Sequence, residues 1–286
     1  MNTHKEISMG TWGAGLLGNG TAAESAAPIP IADVSPPRPA PAPGPVTSAP
    51  GLLPSLDWID HVDTDPIRAL EMLVLGWYPA EEVEPDPEAP TDEDLAALPP
   101  SLAAFHRLAR LRPALHRFSN PMLEKPRRAE RAPGGLLVFA VENQGCRDWS
   151  IPWPPQGGPA DADPLVWFTE DPYSGDEDPE MILEAEPLSR FLLQFTLHEA
   201  SGIAPFRAWT YVMPVERLEP LSDLLRPVPL APWLPTYGSD LFYAAPGLLA
   251  SISADETEAT AVFAARDREV LASLRAYDFP WCRFDE

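Results

Sequence analysis

The chain has 286 residues, which is enough for one large domain or two small ones. Its 43 acidic and 20 basic residues give a formal charge of -23. This balance argues against a nucleic-acid-binding protein, because such proteins obtain much of their affinity from cations placed against phosphates. No apolar stretch of about 18 residues occurs, so the sequence predicts no membrane-spanning helix.

The cysteine content and the N-terminus bear on the compartment. Cys146 and Cys282 are too few for a disulfide framework and lack the spacing of a metal site. A reducing compartment is the simplest interpretation. The first twenty residues contain no continuous apolar segment of a secretory signal. We therefore expect a cytoplasmic protein.

The N-terminal part of the chain is rich in proline. Residues 25–54 contain ten prolines, mixed with Ala, Ser and Gly. Such a composition cannot bury enough apolar surface to offset the entropy of ordering. We predict a disordered Ala/Pro-rich arm over residues 1–54 and one domain over residues 55–286. The sequence GAGLLG at 13–18 matches a dinucleotide fingerprint, but no strand precedes it and no crossover helix follows, so no cofactor is expected.

Two helices are predicted next. Residues 65–78 place apolar side chains three and four positions apart, with Pro66 at the first helical position after Asp65. Residues 79–94 carry eight carboxylates, no cation and four prolines, which favours an exposed acidic loop, inserted before the second helix. That helix is PPSLAAFHRLARL, and it begins a basic run that extends to Arg131.

The apolar period then changes to that of strands. In residues 136–141 both alternating sets are apolar, which predicts an interior strand covered on both faces. In residues 147–153 apolar and polar positions alternate, which predicts a half-buried neighbour. Residues 164–168 give a third strand.

The sequence ENQG joins the first two of these strands. Gly145 supplies the conformational freedom of a tight reversal, and the side chains of Asn143 and Gln144 can bond backbone groups that the turn leaves unpaired. Trp149, on the returning strand, is expected to cover the neighbourhood of Phe139. The alternative is that Glu142, Asn143 or Gln144 binds a partner directly.

The rest of the chain mixes helices and strands. Ten carboxylates and no cation lie between Asp161 and Glu186, which predicts a second acidic loop. A helix is expected from Pro187 to Gly202. The later expectations are a strand at 208–213, a helix at 215–225, strands at 241–252 and 259–264, a helix at 266–277 and a final strand at 281–284. Strands in sequential groups indicate an α+β domain with a largely antiparallel mixed sheet flanked by helices.

Catalytic and metal-binding patterns are scarce. His198-Glu199 begins like a zinc-binding helix motif, but the second histidine is missing. The carboxylates fall mainly in Pro-rich segments, where the desolvation that tunes a catalytic pKa is not expected. We predict no catalytic, cofactor or metal site and a protein that is not an enzyme.

Four segments in order carry a resemblance: LPPSLAAFHRLARLRP, LLVFAVENQGCRDWSIP, DPLVW and LSRFLLQFTLHEA. This order resembles the SUKH superfamily of Smi/Knr-type proteins, over about residues 95–286. The resemblance implies a non-catalytic α+β protein. Many such members are bacterial immunity proteins that bind and block toxin domains, and the fungal relatives are intracellular regulatory scaffolds. A shorter echo, MGTWGAGLLGNGTAAE at 9–24, is similar to the start of a bacterial domain family of unknown function.

The resemblance and the charge together give the functional expectation. We expect an immunity protein that binds and neutralises a basic toxin domain, with a regulatory scaffold as the alternative. An acidic chain favours cationic partners and faster encounter with them. The residues predicted to bind the partner are the carboxylates of the two acidic segments: Glu81, Glu82, Glu84, Asp86, Glu88, Asp176, Glu177 and Asp178.

Overall fold

Helices and strands alternate in groups along the chain, as their apolar periods predict. A computed structural model describes residues 53–80, 90–116, 119–129, 135–154, 161–170, 180–233 and 240–285. The predicted α+β class is confirmed. The predicted N-terminal arm, apart from Leu53 and Pro54, lies outside the described residues.

The described residues form short and medium helices. The α-helices are α1 (Pro66–Trp77), α2 (Asp92–Ala96), α3 (Pro100–Leu111), α4 (Leu188–Ile203) and α5 (Arg268–Ala272). The 3-10 helices span Asp57–His61, Pro113–His116, Val215–Asp223 and Ser273–Ala276. None of the helices in these ranges is long and apolar enough to cross a bilayer.

The strands fall into two groups on either side of α4 in the sequence. The first group is β1 (Met122–Ala129), β2 (Leu136–Val141), β3 (Arg147–Pro152), β4 (Leu165–Glu170) and β5 (Met181–Pro187). The second group is β6 (Phe206–Thr210), β7 (Met213–Pro214), β8 (Arg226–Pro227), β9 (Asp240–Ala245), β10 (Leu248–Ala254), β11 (Glu258–Ala265) and β12 (Trp281–Phe284).

The first group makes a five-stranded antiparallel sheet in sequential order, β1-β2-β3-β4-β5. The second makes a seven-stranded antiparallel sheet in the order β12-β6-β11-β10-β9-β8, with β7 beside β11. The sequence predicted a single, largely antiparallel mixed sheet. The antiparallel pairing is confirmed, but the described strands form two sheets, and every described pair is antiparallel. Strand periodicity does not reveal which strands pair, so the number of sheets was not accessible to it.

Helix α4 packs against both sheets. It contacts β4 and β5 of the first sheet and β10 and β11 of the second. Twelve of its sixteen residues are buried, including polar ones, so it is an interior helix with apolar contacts on more than one side. The main core accordingly combines Phe139 and Trp149 of the first sheet, Phe191 of α4, and Phe242 and Leu249 of the second.

A second, smaller core lies on the other face of the seven-stranded sheet. It joins Phe263 of β11 with Leu271 of α5, Leu221 of the third 3-10 helix, and Phe279 near the C-terminus. Leu53 packs against this cluster. The described domain therefore begins before Ser55, the boundary that the proline density had suggested.

Several predicted elements are confirmed. Helix α1 begins at Pro66, and the side chain of its N-cap residue, Asp65, accepts a hydrogen bond of 3.0 Å from Arg68 N. Helix α3 and strands β2, β4 and β12 occur where they were predicted. The helix predicted to end at Gly202 continues to Ile203.

Other expectations were wrong. The acidic segment 79–94 is not all loop, because α2 begins at Asp92 with a capping box between Thr91 and Asp94. The segment from Asp161 to Glu186 is likewise not one loop, since it contains β4 and β5. Strand β3 is not half-buried, because its four central residues are all buried. The helix predicted at 215–225 is a 3-10 helix. The helix predicted at 266–277 is a short α-helix followed by a 3-10 turn.

Candidate functional site

The ENQG corner is a tight hairpin connection between β2 and β3. Gly145 N donates to Glu142 O at 2.8 Å, and Glu142 N donates to Arg147 O at 2.9 Å. Gly145 has φ of +73°, a left-handed conformation that glycine adopts without steric cost. Residues 143–146 connect the bonded pair Glu142 and Arg147, and four-residue connections built around a tight turn are a common way to close a hairpin.

The polar groups of the corner bond in a different way from the one expected. Gln144 N donates to Glu142 Oε2 at 2.8 Å, so the turn is bridged by the carboxylate of Glu142. The side chains of Asn143 and Gln144 are exposed, whereas Glu142 is buried. The sequence had assigned this bridging role to Asn143 and Gln144, and that assignment was wrong.

Behind the corner, a polar chain leads into α4. Asn143 N donates to Asn120 Oδ1 at 3.2 Å. The amide of Asn120 in turn donates through Nδ2 to Glu199 Oε1 at 2.6 Å. Glu199 also accepts from Asn120 N at 3.2 Å and from Ser119 N at 2.7 Å. A single carboxylate of α4 therefore holds the segment before β1, and that segment holds the corner.

Among the carboxyl groups near the corner, Glu199 has the pKa that departs most from its ordinary value. It is 1% exposed, and burial raises its pKa to about 7, against the lowering effect of its three hydrogen bonds from Ser119 and Asn120. The buried Tyr78 lies near enough for this negative charge to help raise the pKa of its phenol, although burial is the larger cause. A general base must reach the proton of its substrate. Glu199 is enclosed in the protein, and its hydrogen bonds hold the Ser119–Asn120 segment against α4.

Trp149 lies at the centre of the main core. It is 1% exposed and pairs across the sheet with Ala140 and Phe168. Its indole Nε1 donates to Glu184 Oε1 at 3.0 Å. Burial raises the pKa of Glu184, and this hydrogen bond lowers it. Its ring contacts are to Phe168, Phe191, Phe195 and Trp233.

His198, the start of the incomplete zinc motif, stacks on Trp233 with ring centroids 5.4 Å apart. Burial lowers its pKa, and the carboxylate of Asp240 opposes this effect. Its neighbour Glu199 is directed to the Ser119–Asn120 segment. Among the described residues, no group of three or more His, Cys, Asp or Glu side chains is placed to hold a metal ion.

An ionic cluster lies at the N-terminus of α4, and of its members only the carboxylate of Glu186 is buried. Arg190 Nε is 2.6 Å from Glu186 Oε2, and another nitrogen of the same guanidinium bonds Asp63 Oδ1. Glu186 Oε1 accepts from Ala231 N at 2.6 Å. Hydrogen bonding to Glu186 raises the pKa of Arg190 further. The four-residue spacing of Glu186 and Arg190 was visible in the sequence, but it is shared by many solvent-exposed pairs.

The outer face of the first sheet carries exposed apolar side chains at β4 and β5. Leu165 is 48% exposed and Leu183 is 44% exposed. Trp167, which pairs with Leu183, is half-buried on the same face. We call these three residues the β4–β5 surface. No Lys or Arg occurs between Asp148 and Ser189, and the carboxylates of Asp161 and Glu180 are exposed near the starts of the two strands.

The carboxylates predicted to bind a partner lie outside the described residues. These are Glu81, Glu82, Glu84, Asp86, Glu88, Asp176, Glu177 and Asp178. Their role stays a prediction. Of the predicted structural motif, Glu142, Asn143, Gln144 and Gly145 form the corner, and Trp149 lies in the core away from it.

Comparisons with known proteins identify no relative of this chain. No protein-family model, no curated protein and no solved structure matches this chain.

Proposed function

We propose that this chain is a non-catalytic, cytoplasmic protein-binding module, an immunity protein that binds and neutralises a basic bacterial toxin domain. The observation that carries the proposal is the β4–β5 surface. It presents Leu165 and Leu183 to solvent within a stretch of chain that has many carboxylates and no cation. Exposed apolar groups surrounded by charge of one sign are typical of a surface that binds a partner of the opposite sign.

The buried acidic groups fit a binding role better than a catalytic one. Glu184, Glu186 and Glu199 each bond a group of the protein itself: an indole, a guanidinium with a backbone amide, and the Ser119–Asn120 segment. Each of these contacts joins separate elements of the fold.

The resemblance to the SUKH superfamily supports the same proposal. Its four segments correspond to α3, the β2–β3 hairpin, β4 and α4. These elements share the main core, which contains Phe105, Phe139, Trp149, Val166 and Phe191. In this proposal the corner residues Glu142 to Gly145 are structural, and the partner binds the acidic segments.

The proposal is tested with the protein encoded beside this chain's gene, taking its C-terminal domain as the candidate toxin. Co-expression of the chain should restore growth, and the two purified proteins should form a stable complex. A neighbour that inhibits growth equally in the presence and absence of the chain would contradict the proposal.

The acidic loop is tested by the kinetics of the same complex. Replacing Glu81, Glu82, Glu84, Asp86 and Glu88 by their amides should slow association and flatten its dependence on salt between about 50 and 500 mM, with a smaller change in dissociation. The matched control replaces five carboxylates that are exposed elsewhere in the described chain, Glu216, Glu219, Asp223, Glu256 and Glu269, which gives the same change in net charge. Equal effects of the two sets would remove this loop from the mechanism.

The alternative function is a regulatory scaffold of the Smi/Knr type. The Pro-rich N-terminal segment favours it, because such segments bind aromatic grooves of other proteins. A scaffold would bind partners without neutralising a toxin, so the growth assay separates the two.

A further inference from the structure

The two edges of the five-stranded sheet differ in how they are protected. Among the described strands, β1 and β5 each pair on one side only. An edge strand presents unpaired backbone N–H and C=O groups to which another strand can bond. Proteins usually block such edges with charged side chains, prolines or bulges.

Strand β1 has all of these protections. Pro126 removes a backbone donor in the middle of the strand. Glu124, Lys125, Arg127 and Arg128 are exposed charged residues on either side of it. The register with β2 also shifts between Met122 and Arg127.

Strand β5 shares the register shift, which falls between its β4 partners Leu165 and Trp167, but it lacks the exposed charges and the central proline. Its one proline is the last residue, Pro187, and it has no Lys or Arg. The carboxylates of Glu184 and Glu186 point into the protein, where each is at most 6% exposed and bonded. The exposed positions are Leu183 and Ala185.

The open part of this edge can be located more closely. Ala231 N reaches Glu186 Oε1, so the segment around Ala231 lies against the C-terminal end of β5. Among the described residues, no strand lies beside the outer edge of the part from Met181 to Ala185. This part is continuous with Leu165 and Trp167, because Trp167 is the cross-strand partner of Leu183.

We propose that the Met181–Ala185 edge of β5 is a strand-addition site for an extended segment of a partner protein in which apolar side chains alternate with Lys or Arg. The side chains of an added strand alternate between the two faces. Every second one would lie beside Leu183 and Trp167, which calls for apolar groups. The surrounding chain, from Asp148 to Ser189, has acidic residues and no basic ones, which calls for cations at the other positions. The inference rests on the proposed function for the basic character of the partner.

The probe is a short synthetic peptide of alternating Val and Lys, used with the full chain. A second peptide has the same sequence with N-methyl groups on alternate residues, which block the backbone donors of one edge and keep every side chain and charge. The first peptide should bind, and the second should bind at least about tenfold more weakly. Hydrogen exchange should show protection by the first peptide at the amides of 181–185.

Two matched variants locate the site. Leu183→Lys should weaken binding of the first peptide at least about tenfold. The control is Leu111→Lys on α3, where the leucine is 57% exposed, and it should weaken binding less than about twofold. Thermal melts check that both variants fold, and Leu183→Thr replaces Leu183→Lys if the latter does not.

Equal binding of the two peptides, equal losses in the two variants, protection elsewhere than β5, or no binding of the first peptide would each overturn the proposal. The peptide experiment includes no toxin. If the peptide does not bind but the chain still restores growth, only the strand-addition proposal fails. If the wild-type chain does not restore growth, the proposed function fails.

Discussion

Glu199 shows how one buried side chain can hold two loops. Its carboxylate accepts hydrogen bonds from Ser119 and Asn120, and Asn120 holds the backbone of Asn143. A buried carboxylate is costly unless it is hydrogen-bonded. The three donors offset part of that cost, and the pKa near 7 reflects the part that remains.

The raised pKa of Glu199 predicts a specific dependence of stability on pH. The folded chain holds this proton up to about pH 7, whereas the unfolded chain releases it near the ordinary value of 4.5. Stability should therefore fall as pH rises from about 4.5 through about 7, by about 3 kcal/mol for this group, and stay constant above.

The comparison is with Glu199→Gln, using urea unfolding at several pH values. His198, whose pKa is lowered, acts in the opposite direction and is common to both proteins, so the difference between the two curves isolates Glu199. Parallel curves for the two proteins would show that Glu199 does not titrate in this range.

Gly145 gives a second test of the corner. A Cβ atom at this position would meet nothing within 4 Å, so only the backbone conformation resists substitution. Gly145→Ala should cost about 1 kcal/mol of unfolding free energy, and Gly145→Asn less, because asparagine tolerates the left-handed region. Gly135 is the contrasting position, since a Cβ there would collide with the carbonyl oxygen of Trp153. A loss at Gly145 as large as that of Gly135→Ala would mean that the corner has steric constraints beyond its φ angle.

At the scale of elements, α4 connects the two sheets, and its ends are fixed by polar contacts. Arg190 near the N-terminus bonds Glu186, Asp63 and the carbonyl of Pro229. Glu199 near the C-terminus bonds the Ser119–Asn120 segment. The apolar residues between them fill the main core.

Loss of the Arg190 cluster should be costly. Arg190→Met removes the cation and leaves the carboxylate of Glu186 buried with one backbone donor, so a loss of about 3 kcal/mol in unfolding free energy is expected. The control is Arg68→Met, whose partner Glu71 is 3.3 Å away and whose side chain is 52% exposed. That change should cost less than about 0.5 kcal/mol. Similar losses in chemical denaturation would contradict the structural importance of Arg190.

The sequence predicted the elements in which apolar residues occupy most of the inward-facing positions of the helical or strand period. In α1 and α4 the apolar spacing and the nearby prolines were enough. In β5 the period was present, but Glu184 and Glu186 occupy its inward positions, and carboxylates are expected outside. Their partners, Trp149 and Arg190, become neighbours only in the folded chain.

The corner was predicted in the same partial way. Gly145 and the turn followed from local residues. The hydrogen bond between Asn143 and Asn120, by contrast, spans 23 positions in the sequence, and the one between Asn120 and Glu199 spans 79. Hydrogen bonds over such separations leave no local pattern. The second sheet was missed for a related reason, since strand order depends on packing about α4.

At the scale of the whole molecule, the start of the domain can be tested by truncation. Leu53 packs against the second core, and Cδ2 of this residue approaches the position of a Cβ at Gly247 to 2.7 Å. Removal of residues 1–52 should leave the melting temperature unchanged, whereas removal of 1–54 should lower it by about 2 to 4 °C. Equal melting temperatures would show that Leu53 adds nothing to stability, and a fall for the shorter deletion would show that the arm contributes.

We propose that the chain acts by binding and not by catalysis. The most direct measurement is a titration of a fixed amount of the candidate toxin, the C-terminal domain of the protein encoded beside its gene, with that domain's own activity as the readout. A binding protein predicts a linear fall of activity that reaches zero near one chain per toxin, and recovery of active toxin when the complex is separated. Complete inactivation by far less than one chain per toxin, with no recovery, would contradict the account and identify the chain as an enzyme.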